Sequence, residues 1–178
     1  PQAAAAATAT GSTDLSIAKG SKAGKSLKRV KLSTGSPATG KKRSLSLPVS
    51  AAEGAPPSAV TLGGTINFKS GKRKAVVKDL SLSVAGGASA IDGKLGKKAI
   101  TLFEVAGTPV QTGVNRYGAS GADLKLDRKA AKALSKKLKL KGKRKIRGGD
   151  LGTASIAIEV QGSTTPVDPV EPDDYPYA

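Results

Sequence analysis

The densest cluster of chemically active side chains in this sequence is basic. Eight bases occupy the twelve positions from 136 to 147. They are Lys136, Lys137, Lys139, Lys141, Lys143, Arg144, Lys145 and Arg147. Such a density of positive charge can capture phosphate or carboxylate groups, or it can form a solvated face. No aromatic residue interleaves the cluster for base stacking, so the pattern favours non-specific over specific nucleic-acid binding.

The residue types needed for most catalysis are missing. The sequence has no Cys, no His, no Met and no Trp. This excludes Ser-His-Asp and Cys-His nucleophiles and metal sites built on thiolate or imidazole. The carboxylates Glu53, Asp79, Asp92, Glu104 and Asp150 fall in different predicted elements, which argues against a glycosidase pair. We therefore predict that the protein is not an enzyme and has no metal site.

Charge is divided unequally along the chain. All 30 Lys and Arg residues lie between Lys19 and Arg147, and only nine of the 13 acidic residues precede residue 162. The first 161 residues thus carry +21 and the remaining tail −4, consistent with the total of +17. A basic body favours an anionic partner: nucleic acid, an acidic glycan or wall polymer, an anionic membrane, or its own tail.

Composition divides the chain into three parts. Residues 1–13 form an Ala/Thr-rich segment expected to be disordered or weakly extended, 14–161 a single domain, and 162–178 an acidic, Pro-rich tail. The start lacks Met and is rich in small residues, like the region after a removed secretory signal. We therefore expect a secreted or extracellular surface protein. No apolar run reaches the ~18 residues of a membrane-spanning helix.

The domain is organised around a predicted β-hairpin over residues 63–84. Ile66 and Phe68 alternate with polar residues, and a basic turn leads into a second alternating strand. Lys78 lies on the apolar side of that second strand, which predicts a bulge or an edge near 77–79. Phe68, one of two Phe residues, is expected to be buried.

Shorter patterns complete the fold prediction. Further strands are predicted over 14–18, 45–49, 88–95, 98–105, 122–126 and 151–160, with loops or irregular chain over 31–43 and 108–120. Pro48 predicts an edge strand, or a proline turned away from its partner. Asp127 is expected to cap an amphipathic helix over 127–138, and a short helix is predicted near 22–30. The fold class is mainly β: an antiparallel β-sandwich or open barrel.

The order of these motifs resembles a known family. A Gly-x-Ile-x-Phe strand (Gly64, Ile66, Phe68) precedes a Leu-x-Leu-x-Val strand that ends at Val84. A Leu-x-Leu strand then runs into Ala-Lys-Ala-Leu, ending at Leu134, and a Gly-Thr strand closes the domain. Over roughly residues 14–160 this resembles the Htaa-type domain of secreted actinobacterial proteins. The resemblance implies an exported, mostly β domain.

The resemblance also implies a ligand, haem, which that family captures and transfers at the cell surface with Tyr and His around it. Here Ser70-Gly71 stands where a Gly-His pair usually follows the Phe strand. Tyr117 is the only tyrosine before residue 162 and is the one haem candidate of the body. A loop tyrosine with a wet hydroxyl is the simpler interpretation of that residue. We therefore predict no cofactor.

The leading hypothesis is an exported, non-enzymatic structural protein that self-assembles through its termini into a fibre or surface layer. The strand containing Leu15 and Ile17 would add to a neighbour's sheet edge. The tail carboxylates Asp168, Glu171, Asp173 and Asp174 would lie on a neighbour's basic face. The partner would then be another copy. A surface binding module for haem or another ligand is the alternative, and a binder of nucleic acid or acidic glycan is the second alternative.

Overall fold

A computed structural model describes residues 7–54 and 56–161. Twelve strands and two helices account for most of them. In chain order they are β1 (Ala7–Ile17), α1 (Lys22–Ser26), β2 (Lys31–Gly35), β3 (Thr39–Lys41), β4 (Ser44–Glu53), β5 (Ala59–Leu62), β6 (Thr65–Ser70), β7 (Arg73–Ala85), β8 (Ala88–Leu95), β9 (Lys98–Ala106), β10 (Val110–Gly113), β11 (Arg116–Leu126), α2 (Arg128–Lys137) and β12 (Gly149–Val160), with a 3-10 turn at Gly142–Arg144.

The strands close into a barrel. The order β1-β12-β11-β9-β8-β7-β5-β4 returns to β1 through a direct β1–β4 pairing, and the recorded pairs are antiparallel. A second, smaller ring shares the β4–β5–β7 part of the barrel wall. In it β4 pairs with β3, β3 with β2, β2 with β6, and β6 with β7. The mainly β, antiparallel prediction is confirmed, and closure gives each of the eight barrel strands a neighbour on both sides.

The interior is aliphatic, with the two phenylalanines as its largest side chains. Phe68 in the smaller ring and Phe103 in the barrel are both fully buried. Thr13 is also fully buried, and its hydroxyl has no hydrogen-bond partner among the described residues. An unpaired buried hydroxyl costs about 1–3 kcal/mol. Buried hydroxyl groups usually have a hydrogen-bond partner, so Thr13 is unusual in this interior.

The predicted hairpin is present as β6 and β7. Its bulge lies where expected, because the β7–β8 register shifts between Lys78 and Ser81. Asp79 takes up the irregularity with φ 53, a region in which Asp is tolerated.

The predicted helix is also confirmed. The Asp127 side chain accepts from the Ala130 N–H at 3.0 Å, and α2 packs over one end of the barrel against β7 and β9. The predicted helix near 22–30 is shorter, ending at Ser26. No helix among the described residues is long and apolar enough to cross a bilayer.

Three loop predictions were wrong. The first strand starts at Ala7 rather than Asp14, residues 31–43 contain β2 and β3, and residues 108–120 contain β10 and the start of β11. Large apolar residues do not alternate in these segments, and pairing with neighbours distant in sequence makes them strands. Residues 1–6 and the tail from 162 lie outside the described residues.

Of the two alternatives predicted at Pro48, the edge strand was wrong. Strand β4 has neighbours on both sides, and Pro48 lies where its partner changes from β3 to β5. The Pro48 carbonyl accepts from the Gly63 N–H at 2.8 Å. A proline is tolerated at such a switch because no ladder amide is required there.

Candidate anion-binding site

The predicted basic cluster lies at the end of α2 and in the segment that follows it. Lys136 and Lys137 occupy the last turn of the helix, where positive charge complements the helix dipole. Lys143 and Arg144 lie in the 3-10 turn. Every base of the cluster is exposed.

Buried anchors hold this segment against the barrel. Leu138 and Ile146, one on each side of the turn, are 2% and 4% exposed. The buried Ser135 hydroxyl accepts from the Ile146 N–H at 2.9 Å, and the Ser135 carbonyl accepts from the Leu140 N–H at 2.8 Å. Because its backbone is fixed from inside, the segment presents its bases on a defined surface.

Helix α1 is joined to the same segment. The Ser26 hydroxyl accepts from the Arg147 N–H at 2.9 Å, and the Ser21 hydroxyl donates to the Leu151 carbonyl at 2.9 Å. These bonds place the exposed side chains of Lys22 and Lys25 beside the cluster. This contribution could not be predicted, because nothing in the sequence pairs a serine near residue 26 with position 147.

Strand registers show that the other bases gather at the same end. Ile17 pairs with Gly152, Leu126 with Gly149, and Val77 with Leu95. The barrel end at which β1 and β11 finish and β12 begins therefore also carries the β6–β7 and β8–β9 turns. We call it the basic end. Every base whose side chain is described lies towards it, except Arg116.

Few acidic groups neutralise this surface. The described residues form two ion pairs, Lys94–Asp79 and Arg116–Glu159, each at 3.9 Å and exposed. Neither pair involves the cluster at 136–147. Within residues 7–54 and 56–161, the positive field of the basic end is therefore largely uncompensated.

Two clefts lie on the outer wall of the barrel. One, of about 490 Å³, is lined by Lys22, Arg128, Lys129 and neighbouring carboxylates. The other, of about 340 Å³, is lined mainly by small residues of β7, β8 and β9. Glu104 and Lys125 line both clefts. The mixed charge of the first cleft makes it a weaker anion site than the exposed cluster.

The predicted haem candidate lies elsewhere. Tyr117 is half-buried on β11, paired with Gln111 and Ile158. It lines neither cleft. Since the sequence has no His, Cys or Met, Tyr117 is the sole described residue of the usual axial-ligand types. Haem held through its iron would therefore depend on Tyr117, which lies beside neither cleft.

The carboxylates that the sequence places in different elements either hold strands together or lie far apart. Asp92 accepts from the Ser83 and Thr101 hydroxyls, both at 2.8 Å, and it links neighbouring strands. Glu53 and Asp150 lie at opposite ends of the barrel. No group of three potential metal ligands occurs within 7–54 and 56–161.

Of the predicted assembly segments, the strand with Leu15 and Ile17 lies within the described residues and the acidic tail lies outside them. Leu15 and Ile17 are 1% and 7% exposed, and β1 pairs with β4 on one side and β12 on the other. Both edges of this segment are thus used within its own barrel. Asp168, Glu171, Asp173 and Asp174 lie outside the described residues, and their role stays a prediction.

Comparison with known proteins identifies the fold. No family model matches the chain, and no curated protein matches it. The C-terminal domain of HtaA from Corynebacterium glutamicum superposes with a TM-score of 0.59 and 8% identity, covering 86% of this chain and 99% of that one. The haem binding protein HtaB from the same organism gives 0.48 and 16%, covering 85% and 93%. The first likeness supports the Hta-type fold that the motif order predicted.

Proposed function

We propose that this chain is a non-enzymatic binding module presented outside the cell, and that the basic end binds an acidic polymer of the cell wall. One observation carries the proposal: bases from separate turns and both helices converge on one end with little acidic compensation. The fold likeness to an HtaA domain favours a binding module over the structural fibre, for which the described residues offer no separate support.

The position of the aromatic residues favours a wall polymer over nucleic acid. Phe68 and Phe103 are fully buried, and Tyr117 lies away from the basic end. The described part of the chain thus has no aromatic side chain at the basic end on which a base would stack. Phosphate or carboxylate groups along a flexible polymer need only the charges.

A titration across salt concentrations tests the proposal. Labelled poly(glycerol phosphate) is titrated with the protein between 50 and 200 mM salt, with neutral dextran and a duplex DNA as comparisons. We expect log K to fall linearly with log salt. For a duplex contacted at 6–10 phosphates the loss would be about 10³–10⁵ over that range. Absence of binding at low salt, or salt-independent binding to dextran, would contradict the proposal.

Affinity at physiological salt separates function from simple attraction of opposite charges. We expect the phosphate polymer to remain bound there and to compete with the duplex. A duplex that binds more tightly at every salt concentration would instead assign the basic end to nucleic acid.

Haem is the second candidate, favoured by the resemblance of the motifs and by the HtaA-like fold. Its two carboxylates are compatible with the basic end, although the described residues supply no iron ligand beside a cleft. If Tyr117 binds the iron, titration with haemin shifts the Soret band, and Tyr117→Phe removes the shift. Tyr175→Phe/Tyr177→Phe is the control for the tail. The spectrum of free haemin throughout the titration would eliminate this candidate.

A further inference from the structure

One strand of the described fold has a partner strand along one edge only. Each of the other eleven described strands pairs with at least two strands, whereas β10 pairs only with β11. Its remaining backbone groups face outward along one side. A free edge of this kind is a template for pairing with another extended segment.

Exposed apolar side chains coincide with that edge. Val110 on β10 is 59% exposed, and Val114 in the following turn is 85% exposed. Among the described residues, these two valines are the exposed large hydrophobic side chains. The stretch from Val105 to Asn115 contains no charged residue. The charges and prolines that usually protect an edge are absent from β10 itself.

The edge lies at the opposite end of the barrel from the bases. The Asn115 carbonyl accepts from the Val160 N–H at 2.8 Å, which places the β10–β11 turn beside the end of β12. The nearest base, Arg116, faces Glu159 at 3.9 Å. Two copies of a body with charge +21 repel each other least when they approach through this end.

We propose that β10 is the contact through which two copies of this chain pair, antiparallel and related by a twofold axis. A twofold contact presents the same edge from both copies, so one uncharged strand suffices on each side. The pairing joins the two sheets through β10 and covers Val110 and Val114. The contact is small, so the dimer is weak and depends on concentration. Its two basic ends point outward, which makes the dimer bivalent for an acidic polymer.

Sedimentation velocity of the chain from about 1 µM to about 1 mM tests the dimer. We expect a monomer–dimer equilibrium that strengthens as salt rises, because salt screens the repulsion between the two bodies. Polymer binding at the basic end weakens with salt, so the two proposals fail separately. A monomer under all conditions overturns the dimer. An assembly that salt dissolves also overturns it and points to charge pairing instead.

Charged substitutions locate the contact. Val110→Lys/Val114→Lys brings four lysines into the twofold interface, and we expect the dissociation constant to rise at least about tenfold. Ala18→Lys/Ala99→Lys is the matched control. It adds the same charge at exposed positions of the basic end and leaves the dimer unchanged. Equal dissociation in both variants would mean that total charge, not β10, controls association.

The absence of cysteine provides an independent test. Thr112→Cys introduces a single thiol on the exposed side of β10 in a chain that otherwise has none. Paired antiparallel strands bring opposite Cα atoms within the ~4.4–6.8 Å that a disulfide spans. Under mild oxidation we expect a cross-linked dimer from Thr112→Cys and none from Ala99→Cys. Equal cross-linking of both variants would reflect random collision and overturn the β10 contact.

Discussion

Reversal of three charges at the 3-10 turn, Lys143→Glu/Arg144→Glu/Lys145→Glu, will weaken binding of the phosphate polymer by about 100-fold or more at low salt. Each phosphate contact that is lost should reduce the magnitude of the negative slope of log K against log salt by about one. The three side chains are exposed. The fold is held instead by Leu138, Ser135 and Ile146 behind the turn.

The controls separate charge from shape. Lys143→Arg/Arg144→Lys/Lys145→Arg keeps all three charges, and we expect nearly unchanged affinity and salt slope. Arg116→Glu reverses one charge at the other end of the barrel, and its effect should be well below that of Lys143→Glu alone. Thermal unfolding should stay within the small range of surface substitutions for each variant. A triple reversal that binds like the original chain would exclude the cluster as the site.

Substitution of Gly11 by Ala will destabilise the barrel by about 3 kcal/mol, combining backbone strain with a steric clash. Gly11 has φ 122, a conformation that side-chain-bearing residues rarely adopt. A Cβ atom there would overlap the Ala157 carbonyl of the neighbouring strand. For a domain of this size, the midpoint of thermal unfolding should fall by roughly 10 °C.

Gly20→Ala is the matched control. Gly20 lies in the turn after β1, and a Cβ there would have no heavy atom within 4 Å. We expect a change of under about 0.5 kcal/mol, as for other unconstrained surface positions. Equal midpoints for the two variants would show that the first half of β1 is not part of the barrel. That half was expected to be disordered or weakly extended from composition, so the comparison tests barrel closure directly.

The candidate site was only partly predictable. The cluster at 136–147 is contiguous in sequence, and its charge density is visible without a structure. The contributions of Lys22 and Lys25 on α1 and of the β6–β7 and β8–β9 turns are not visible, because each of these segments is an ordinary short basic stretch in the sequence. They become one surface only when strand registers bring those turns to the same end. The free edge of β10 could not be predicted either, since the segment was expected to be irregular.

By itself, the sequence determined the strongly patterned elements and the types of catalytic site that its composition excludes. Alternation with a period of two defined β6, β7, β8 and β9, and a capping Asp followed by an apolar stripe defined α2, because these signals depend on neighbours along the chain. The missing His and Cys removed most catalytic classes for the same direct reason. Only the tertiary structure decided that β1 closes the barrel, that the bases converge on one end, and that β10 is the one described strand with a single partner strand. These features depend on pairing between residues far apart in sequence, and backbone hydrogen bonding between strands leaves little trace in side-chain pattern.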